Sequence, residues 1–346
     1  MQTIKTALLS YGMSGKVFHA PFVHLHQGFT LTGAWERSKK LIQQDYPYAK
    51  SYASLDELLA DDIDLVIVNT PNYTHYEYTK KALLAGKHVI VEKPLTVTVT
   101  EGEELKQLAI QQQKLLCPYQ NRRYNSDYLT VKKIIQEGWL GEIAEAEFRF
   151  DRFSTVLSPK QHKEIPGPGT GVLYDLGSHL IDQALQLFGK PTAVFADIAI
   201  TRSISQVDDY FEVLLFYPST RVRLKSGYLV REPLPGYIVF GDKGTFLKSK
   251  ADVQEADLIA GKKPDAAGWG IEPENEQGLI HTEKDGKIIR EKVPTEKGDY
   301  MAYFEGVYQS IINGKPLPVT ADESIDVIRI IEAAYKSRAE RRIIEL

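Results

Sequence analysis

The sequence predicts an α/β protein in two parts. A doubly wound parallel sheet covers about residues 1–120, and an α+β region with a large, mostly antiparallel sheet covers 121–346. Three observations carry this reading. Short continuous apolar runs alternate with amphipathic helical segments through the first third, as strands buried on both faces require. A glycine-marked turn, Gly12 and Gly15, follows the first run. Beyond residue 190, longer segments alternate apolar and polar residues between short turns.

The elements follow in order. Ile4 to Ser10 is a strand that ends at the glycine turn, and Phe29 to Trp35 is a second, broken by Glu36-Arg37-Ser38. Leu55 to Leu59 has helical period, with Ser54 as N-cap and Glu57 completing a capping box. Ile63 to Asn69 is a third strand, closed by Thr70-Pro71-Asn72. A helix over Tyr73 to Ala85 stops at Gly86; His88 to Glu92 is a strand cut by Pro94. A helix over Glu101 to Gln113 and a strand over Leu115 to Tyr119 complete the first part.

In the second part, helices are predicted over Ser126 to Glu137, Tyr174 to Phe188, Tyr300 to Asn313 and Asp322 to Arg341. Ile143 to Phe153 reads as a long strand, and Ser158 to Gly171, rich in Pro and Gly, as a loop. Several strands fill Ala193 to Lys248, with turns at Pro218-Ser219 and Gly241 to Gly244. Ala251 to Lys297 is polar and weakly periodic and reads as loops and short elements.

Composition narrows the function. Of 346 residues 43% are hydrophobic and 25% charged, which excludes fibrous and disordered classes. The net charge of −4 gives no basis for a nucleic acid or an anionic membrane as partner. The one cysteine allows no intrachain disulfide, and neither a signal peptide nor a membrane span is read, so a cytoplasmic location is expected.

Three motifs carry chemistry. Ser10-Tyr11-Gly12-Met13-Ser14-Gly15 follows a strand and opens a helix, as a dinucleotide-binding turn does, with Ser10 in place of the first glycine. Amides at the helix start would cradle phosphates. Glu36 lies 21 residues after Gly15, where a carboxylate accepts hydrogen bonds from a ribose diol and disfavours a 2′-phosphate. That leans towards NAD over NADP, although Arg37 and Ser38 stand beside it and could hold such a phosphate; Glu36 also reads as a solvated strand-end charge. Glu92-Lys93-Pro94 occupies the carboxyl end of a strand, where doubly wound sheets bind ligands, and the Lys93 ammonium there can stabilise alkoxide character. Asp175 and His179 share one helix face, and an imidazole exchanges protons near neutral pH. A plain surface lysine and a local helix hydrogen bond are the bland readings of these last two. His162 and Glu164 lie nearby, but no metal-ligand spacing is present and no metal is expected.

The glycine turn, Glu92-Lys93-Pro94 and Asp175-x-x-x-His179, in that order, resemble the Gfo/Idh/MocA oxidoreductases. Thr70-Pro71-Asn72-Tyr73-Thr74-His75 resembles the cofactor loop of that family, and Gly15 to Pro21 resembles its scyllo-inositol dehydrogenase-like subgroup. The resemblance implies a Rossmann domain, then a domain whose open sheet builds homodimers or homotetramers. It implies NAD or NADP as cofactor and a sugar, cyclitol or related polyol as substrate. By position, Lys93 would bind the reacting oxygen, His179 would act as general acid/base and Asp175 would bind or orient substrate. Ser10, Gly12, Met13, Ser14, Gly15, Glu36, Arg37, Thr70, Pro71, Asn72, His75, Glu92, Lys93, Asn121 and Arg122 would line the cofactor. The same fold also allows a catalytically idle sugar or nucleotide sensor, or a dehydrogenase acting on a dihydrodiol or an imine.

Overall fold

The computed structural model describes residues 3–36, 39–160 and 163–346. The chain divides into two compact units. The first holds Met1–Asn121 together with two later segments, Gln254–Trp269 and Asp299–Ile325; the second holds Arg122–Val253, Gly270–Gly298 and Asp326–Leu346.

The first unit is built on a six-stranded parallel sheet. Its strands are β1 (Ile4–Leu8), β2 (Phe29–Trp35), β3 (Lys50–Tyr52), β4 (Leu65–Val68), β5 (His88–Glu92) and β6 (Leu116–Tyr119). They lie in the order β3-β2-β1-β4-β5-β6. The chain reverses direction across the sheet between β1 and β4, and the carboxyl ends of strands at such a point form a ligand-binding crevice. All four residues of β4 are buried, which explains its unbroken apolar sequence. The three-residue β3 was too short to leave a pattern in the sequence.

The helices of this unit follow their capping chemistry. After the glycine turn comes a π-helical turn, Gly15–His19, continued by α1 (Ala20–Leu25). Next are α2 (Ile42–Asp45), α3 (Leu55–Ala60), α4 (His75–Leu84) and α5 (Val99–Gln111). Ser54 caps α3 by accepting the Glu57 amide at 3.1 Å, but the Glu57 carboxylate reaches back to Ala53 rather than to Ser54. The complete capping box belongs to α5, between Thr98 and Glu101, so that helix starts two residues earlier than predicted. The later segments add α8 (Gln254–Ile259) and α9 (Met301–Asn313). Phe304 of α9 stacks on Phe22 of α1 with centroids 5.2 Å apart, and the Tyr303 hydroxyl donates to the Cys117 carbonyl at 3.1 Å.

The second unit carries a nine-stranded sheet. Its strands are β7 (Ile143–Arg149), β8 (Ala193–Ala199), β9 (Tyr210–Phe216), β10 (Arg221–Gly227), β11 (Tyr237–Gly241), β12 (Gly244–Lys248), β13 (Gly278–Lys284), β14 (Lys287–Val293) and β15 (Ile344–Glu345). The order is β14-β13-β12-β11-β7-β10-β9-β8-β15, antiparallel except for β7 beside β10. One face packs against α6 (Ser126–Gln136), α7 (Ser178–Phe188) and the later turns of α10 (Ala321–Glu340) in a single apolar core that includes Phe148, Phe211 and Leu180.

The expectation that Ala251 to Lys297 holds only loops and short elements is corrected here. β13 and β14 form a hairpin that extends the sheet by two strands. Asp285 (φ 51°) and Gly286 (φ 72°) make its two-residue turn, both in the left-handed region that an Asp-Gly pair tolerates. The hairpin lies at the sheet edge, where β14 is almost wholly exposed, so its polar side chains hide the periodicity. The predicted long strand from Ile143 breaks after Arg149, and Phe153 keeps only an isolated bridge to Leu229. Among the described residues, no helix is long and apolar enough to cross a membrane.

Candidate active site

In the first unit, Ser10 to Gly15, Thr70 to Asn72 and Glu92-Lys93 stand at the carboxyl ends of β1, β4 and β5, with Glu36 after β2 and Asn121 after β6. The Gly15 turn packs tightly. A Cβ on Gly15 would lie 2.3 Å from the Ser10 carbonyl oxygen and 2.9 Å from the Asn69 amide nitrogen, so glycine is required. Ser10 compensates for the missing first glycine. Its hydroxyl accepts the Gly12 amide at 3.2 Å, a local serine turn. Asn69, absent from the sequence-derived set, donates its side-chain amide to the Ser10 carbonyl at 2.7 Å. Its buried Oδ1 has no hydrogen-bond partner. A Cβ on Gly12 would meet only the Ser10 hydroxyl, at 3.4 Å, so Gly12 leaves room for a ligand while Gly15 does not. Close backbone packing beside open space at a helix start fits a dinucleotide pyrophosphate. Met13 is exposed at the same turn.

Glu36 is already engaged. Its carboxylate accepts the Leu41 amide at 2.7 Å, the Ile42 amide at 3.2 Å and the Ser51 hydroxyl at 3.3 Å. It therefore caps the start of α2, using three of a carboxylate's roughly four acceptor positions. The lean to NAD assumed a carboxylate facing a ribose. Arg37, Ser38 and His162 lie outside the described residues, whereas Lys39 and Lys40 are exposed.

Thr70 and Pro71 form a tight turn in which the Thr74 hydroxyl donates to the Pro71 carbonyl at 2.6 Å, and Asn72, half-buried, opens the short 3-10 turn that follows. His75 is wholly buried. Its Nδ1 lies 2.7 Å from the Pro94 carbonyl oxygen and its Nε2 2.8 Å from that of Thr70. Two main-chain carbonyls thus flank the ring, and a neutral imidazole donates to one of them through its single N–H. Burial pushes its pKa down, against the pull of the two carbonyls.

Glu92 ends β5 and Lys93, half-buried, follows it. The Lys93–Pro94 peptide bond is cis. Oε1 of Glu92 lies 2.9 Å from His19 Nε2 and accepts the Ser14 hydroxyl at 2.5 Å. Burial raises the Glu92 pKa, but the bond and charge of His19, then Ser14 and Lys93, more than reverse this and hold it at about 2. Ser14 thus turns its hydroxyl towards Glu92.

In the second unit, Asp175 and His179 share one helical stretch as predicted, but its first turn, Leu173–Gly177, is π-helical and α7 begins at Ser178. His179 is only 6% exposed. The Asp175 carboxylate pairs with Lys163 of the Pro/Gly-rich loop at 2.7 Å. Three residues after His179, Asp182 takes a bidentate bond from buried Arg123, at 2.8 and 2.7 Å. This pair fixes α7 against the Asn121–Tyr124 turn. Asn121 and Arg122 are both buried in that turn; the Arg122 carbonyl accepts Gln183 of α7 at 3.0 Å. Glu164 accepts the Ser158 amide at 2.7 Å. Among the described residues, no group of three or more His, Cys, Asp or Glu is placed to hold a metal ion.

Two family models match this chain. Residues 4–120 match the oxidoreductase family's NAD-binding Rossmann fold, and residues 132–346 its C-terminal alpha/beta domain. The chain belongs to the Gfo/Idh/MocA oxidoreductase family. A relative, scyllo-inositol 2-dehydrogenase (NADP(+)) IolW of Bacillus subtilis, is 40% identical over 100% of this chain and 97% of its own. The uncharacterized oxidoreductase YdgJ of Escherichia coli is 36% identical, covering 98% of this chain and 97% of its own. Among solved structures, yvaA from Bacillus subtilis superposes with a TM-score of 0.96 at 40% identity, covering 100% of this chain and 99% of that one. An oxidoreductase from Bacillus cereus gives 0.92 at 33% identity, covering 99% of each chain. This Gfo/Idh/MocA protein is thus an oxidoreductase with an NAD(P)-binding Rossmann domain.

Proposed function

We propose that this oxidoreductase transfers hydride between NADP and a secondary alcohol of a polyol, cyclitol or sugar. The full-length 40% identity to a relative named scyllo-inositol 2-dehydrogenase (NADP(+)) carries the reading. The choice of NADP over NAD is supported by the Glu36 carboxylate, which accepts the Leu41 and Ile42 amides. The cations that follow it, Arg37, Lys39 and Lys40, suit a 2′-phosphate.

The Ser10–Gly15 turn would hold the pyrophosphate, and the Thr70–Asn72 loop and Glu92 the nicotinamide end. The bound nicotinamide supplies the hydride acceptor or donor. His179 takes the substrate's hydroxyl proton in oxidation and returns it in reduction. The Lys93 ammonium binds the reacting oxygen and stabilises its alkoxide character. Asp175 orients the polyol through its hydroxyls and is recruited from Lys163.

The experiment is a titration with NADPH and NADH followed by a 340 nm assay over a polyol panel that includes scyllo-inositol. Tighter NADPH binding and turnover of at least one panel member are expected. Cofactor binding with no turnover across the panel would overturn the dehydrogenase reading, and tighter NADH binding the cofactor choice.

We further propose self-association, as homodimer or homotetramer, through the outward face of the nine-stranded sheet. Phe195, Leu214, Arg223, Glu147 and Ile238 form one row across five strands. Its charges are paired with one another, Arg223 with Glu147 at 3.1 Å, while Phe195 is 41% exposed and nearby Phe240 40%.

A further inference from the structure

Lys93 is gripped on both sides through its sequence neighbours. On one side is the Glu92 side chain, whose Oε1 lies 2.9 Å from His19 Nε2 and 2.5 Å from the Ser14 hydroxyl. On the other is the Pro94 carbonyl, 2.7 Å from His75 Nδ1. Neither histidine has solvent exposure.

The two rings play complementary parts. His19 stands at the end of the π-helical turn that follows the glycine turn, its ring 4.5 Å from that of Tyr119. Its Nδ1 is buried without a hydrogen-bond partner, so the bond to Glu92 is its one polar tie. A buried imidazole in an aromatic setting costs free energy that an apolar side chain would avoid. Its presence is accounted for by the carboxylate it holds. His75 is wedged between the turn after β5 and the turn after β4, with the Pro94 carbonyl facing Nδ1 and the Thr70 carbonyl facing Nε2; with the proton on Nδ1 the ring donates to Pro94. Ser14 adds the glycine turn to the same oxygen of Glu92. The segments after β1 and β4 therefore converge on a single residue pair at the end of β5, Glu92 and Pro94, and Lys93 lies between them.

We propose that His19 and His75 are positioning residues that fix Lys93 for catalysis, His19 through the Glu92 carboxylate and His75 through the Pro94 carbonyl. The inference rests on the role given to Lys93 above. It gives a role to His19, which lies in the Gly15 to Pro21 run but had none assigned to it, and assigns His75 to bracing rather than to ligand contact. A 1 Å misplacement of a reacting group costs about 10²-fold in rate, so a main-chain brace of this kind acts on kcat more than on cofactor affinity.

The test compares His19→Leu, His19→Gln, His75→Leu and Glu92→Gln with the parent protein. The first readout needs no cofactor: competitive acylation of lysines, with Lys93 scored by mass spectrometry against exposed Lys287 in the same chain. The expected result is a severalfold change in relative Lys93 reactivity for both Leu variants. His19→Gln, which can still donate to Glu92, should stay near the parent value. In turnover, the Leu variants should lose about 10²-fold in kcat with a cofactor Kd within roughly threefold of the parent. If His19→Leu does not fold, Glu92→Gln, which keeps the shape and removes the charge, takes its place and should shift Lys93 reactivity in the same direction. Folded variants with unchanged Lys93 reactivity would overturn the proposal. A protein whose Lys93 reactivity responds but which turns over no substrate would keep the brace and reject the dehydrogenase reading instead.

Discussion

Asp208 sits at the head of the helical stretch that carries Asp175 and His179, accepting the Leu173 amide at 3.1 Å. The same carboxylate accepts the Tyr335 hydroxyl at 2.8 Å, and its main-chain carbonyl takes the Val172 amide at 2.9 Å. Burial raises the Asp208 pKa, and the Leu173 and Tyr335 bonds work against that rise. Gly171, at φ 98°, passes so close that a Cβ would lie 2.1 Å from Oδ1 of Asp208.

Asp208→Ala strands the Leu173 amide and the Tyr335 hydroxyl, and should cost about 1–3 kcal/mol in urea unfolding. Asp208→Asn should lose less, because an amide oxygen still accepts. Gly171→Ala should be destabilising as well, through backbone strain and contact with Asp208. Equal stability of Asp208→Ala and the parent would rule out this anchor.

Glu92 makes acid stability readable. Its folded pKa of about 2 lies below the ordinary 4.5, so its contribution is fully present above pH ~4.5 and is lost as pH falls towards 2. The contribution is on the order of 3 kcal/mol. Glu92→Gln should therefore be less stable than the parent at pH 6, with the gap closing by pH 2–3. A gap that stays constant across this range would assign its cause to packing instead.

His179→Ala should lower turnover by about 10²–10⁴-fold with little change in NADPH affinity, the signature of a missing proton carrier. Turnover near the parent value would remove His179 from the reaction.

Replacing Lys39 and Lys40 together by Glu should weaken NADPH roughly tenfold and leave NADH nearly unchanged. Glu36→Gln should weaken the start of α2 by about 1 kcal/mol without reversing the preference. Equal losses for both cofactors would place the 2′-phosphate elsewhere.

Phe195→Asp should lower the molar mass in light scattering from an oligomer to one chain, if the outward face of the sheet is the subunit interface. A parent protein that is already monomeric would dismiss the interface.

Much of this protein was legible in its sequence. β2 and β5 have the boundaries their apolar runs mark, because Glu36 and Pro94 interrupt them chemically. Gly86, Gly138, Gly189 and Gly314, all at positive φ, stop helices where glycine signals a stop. Glycine spacing, Glu-Lys-Pro and the Asp175/His179 pair are local patterns, and they identified the family. The β13–β14 hairpin was missed because exposed edge strands need not alternate, although Asp285-Gly286 was its available signal.

Only the tertiary structure decided which partner each polar group takes. Glu36 accepts amides five and six residues ahead, and His75 lies between carbonyls of two different turns. His19 finds Glu92 across 73 residues, and Asn69 finds Ser10 across 59. Periodicity and capping follow from short-range sterics and are written along the chain. Pairings of buried polar groups depend on how strands are ordered in the sheet, and no single-chain pattern encodes that order locally.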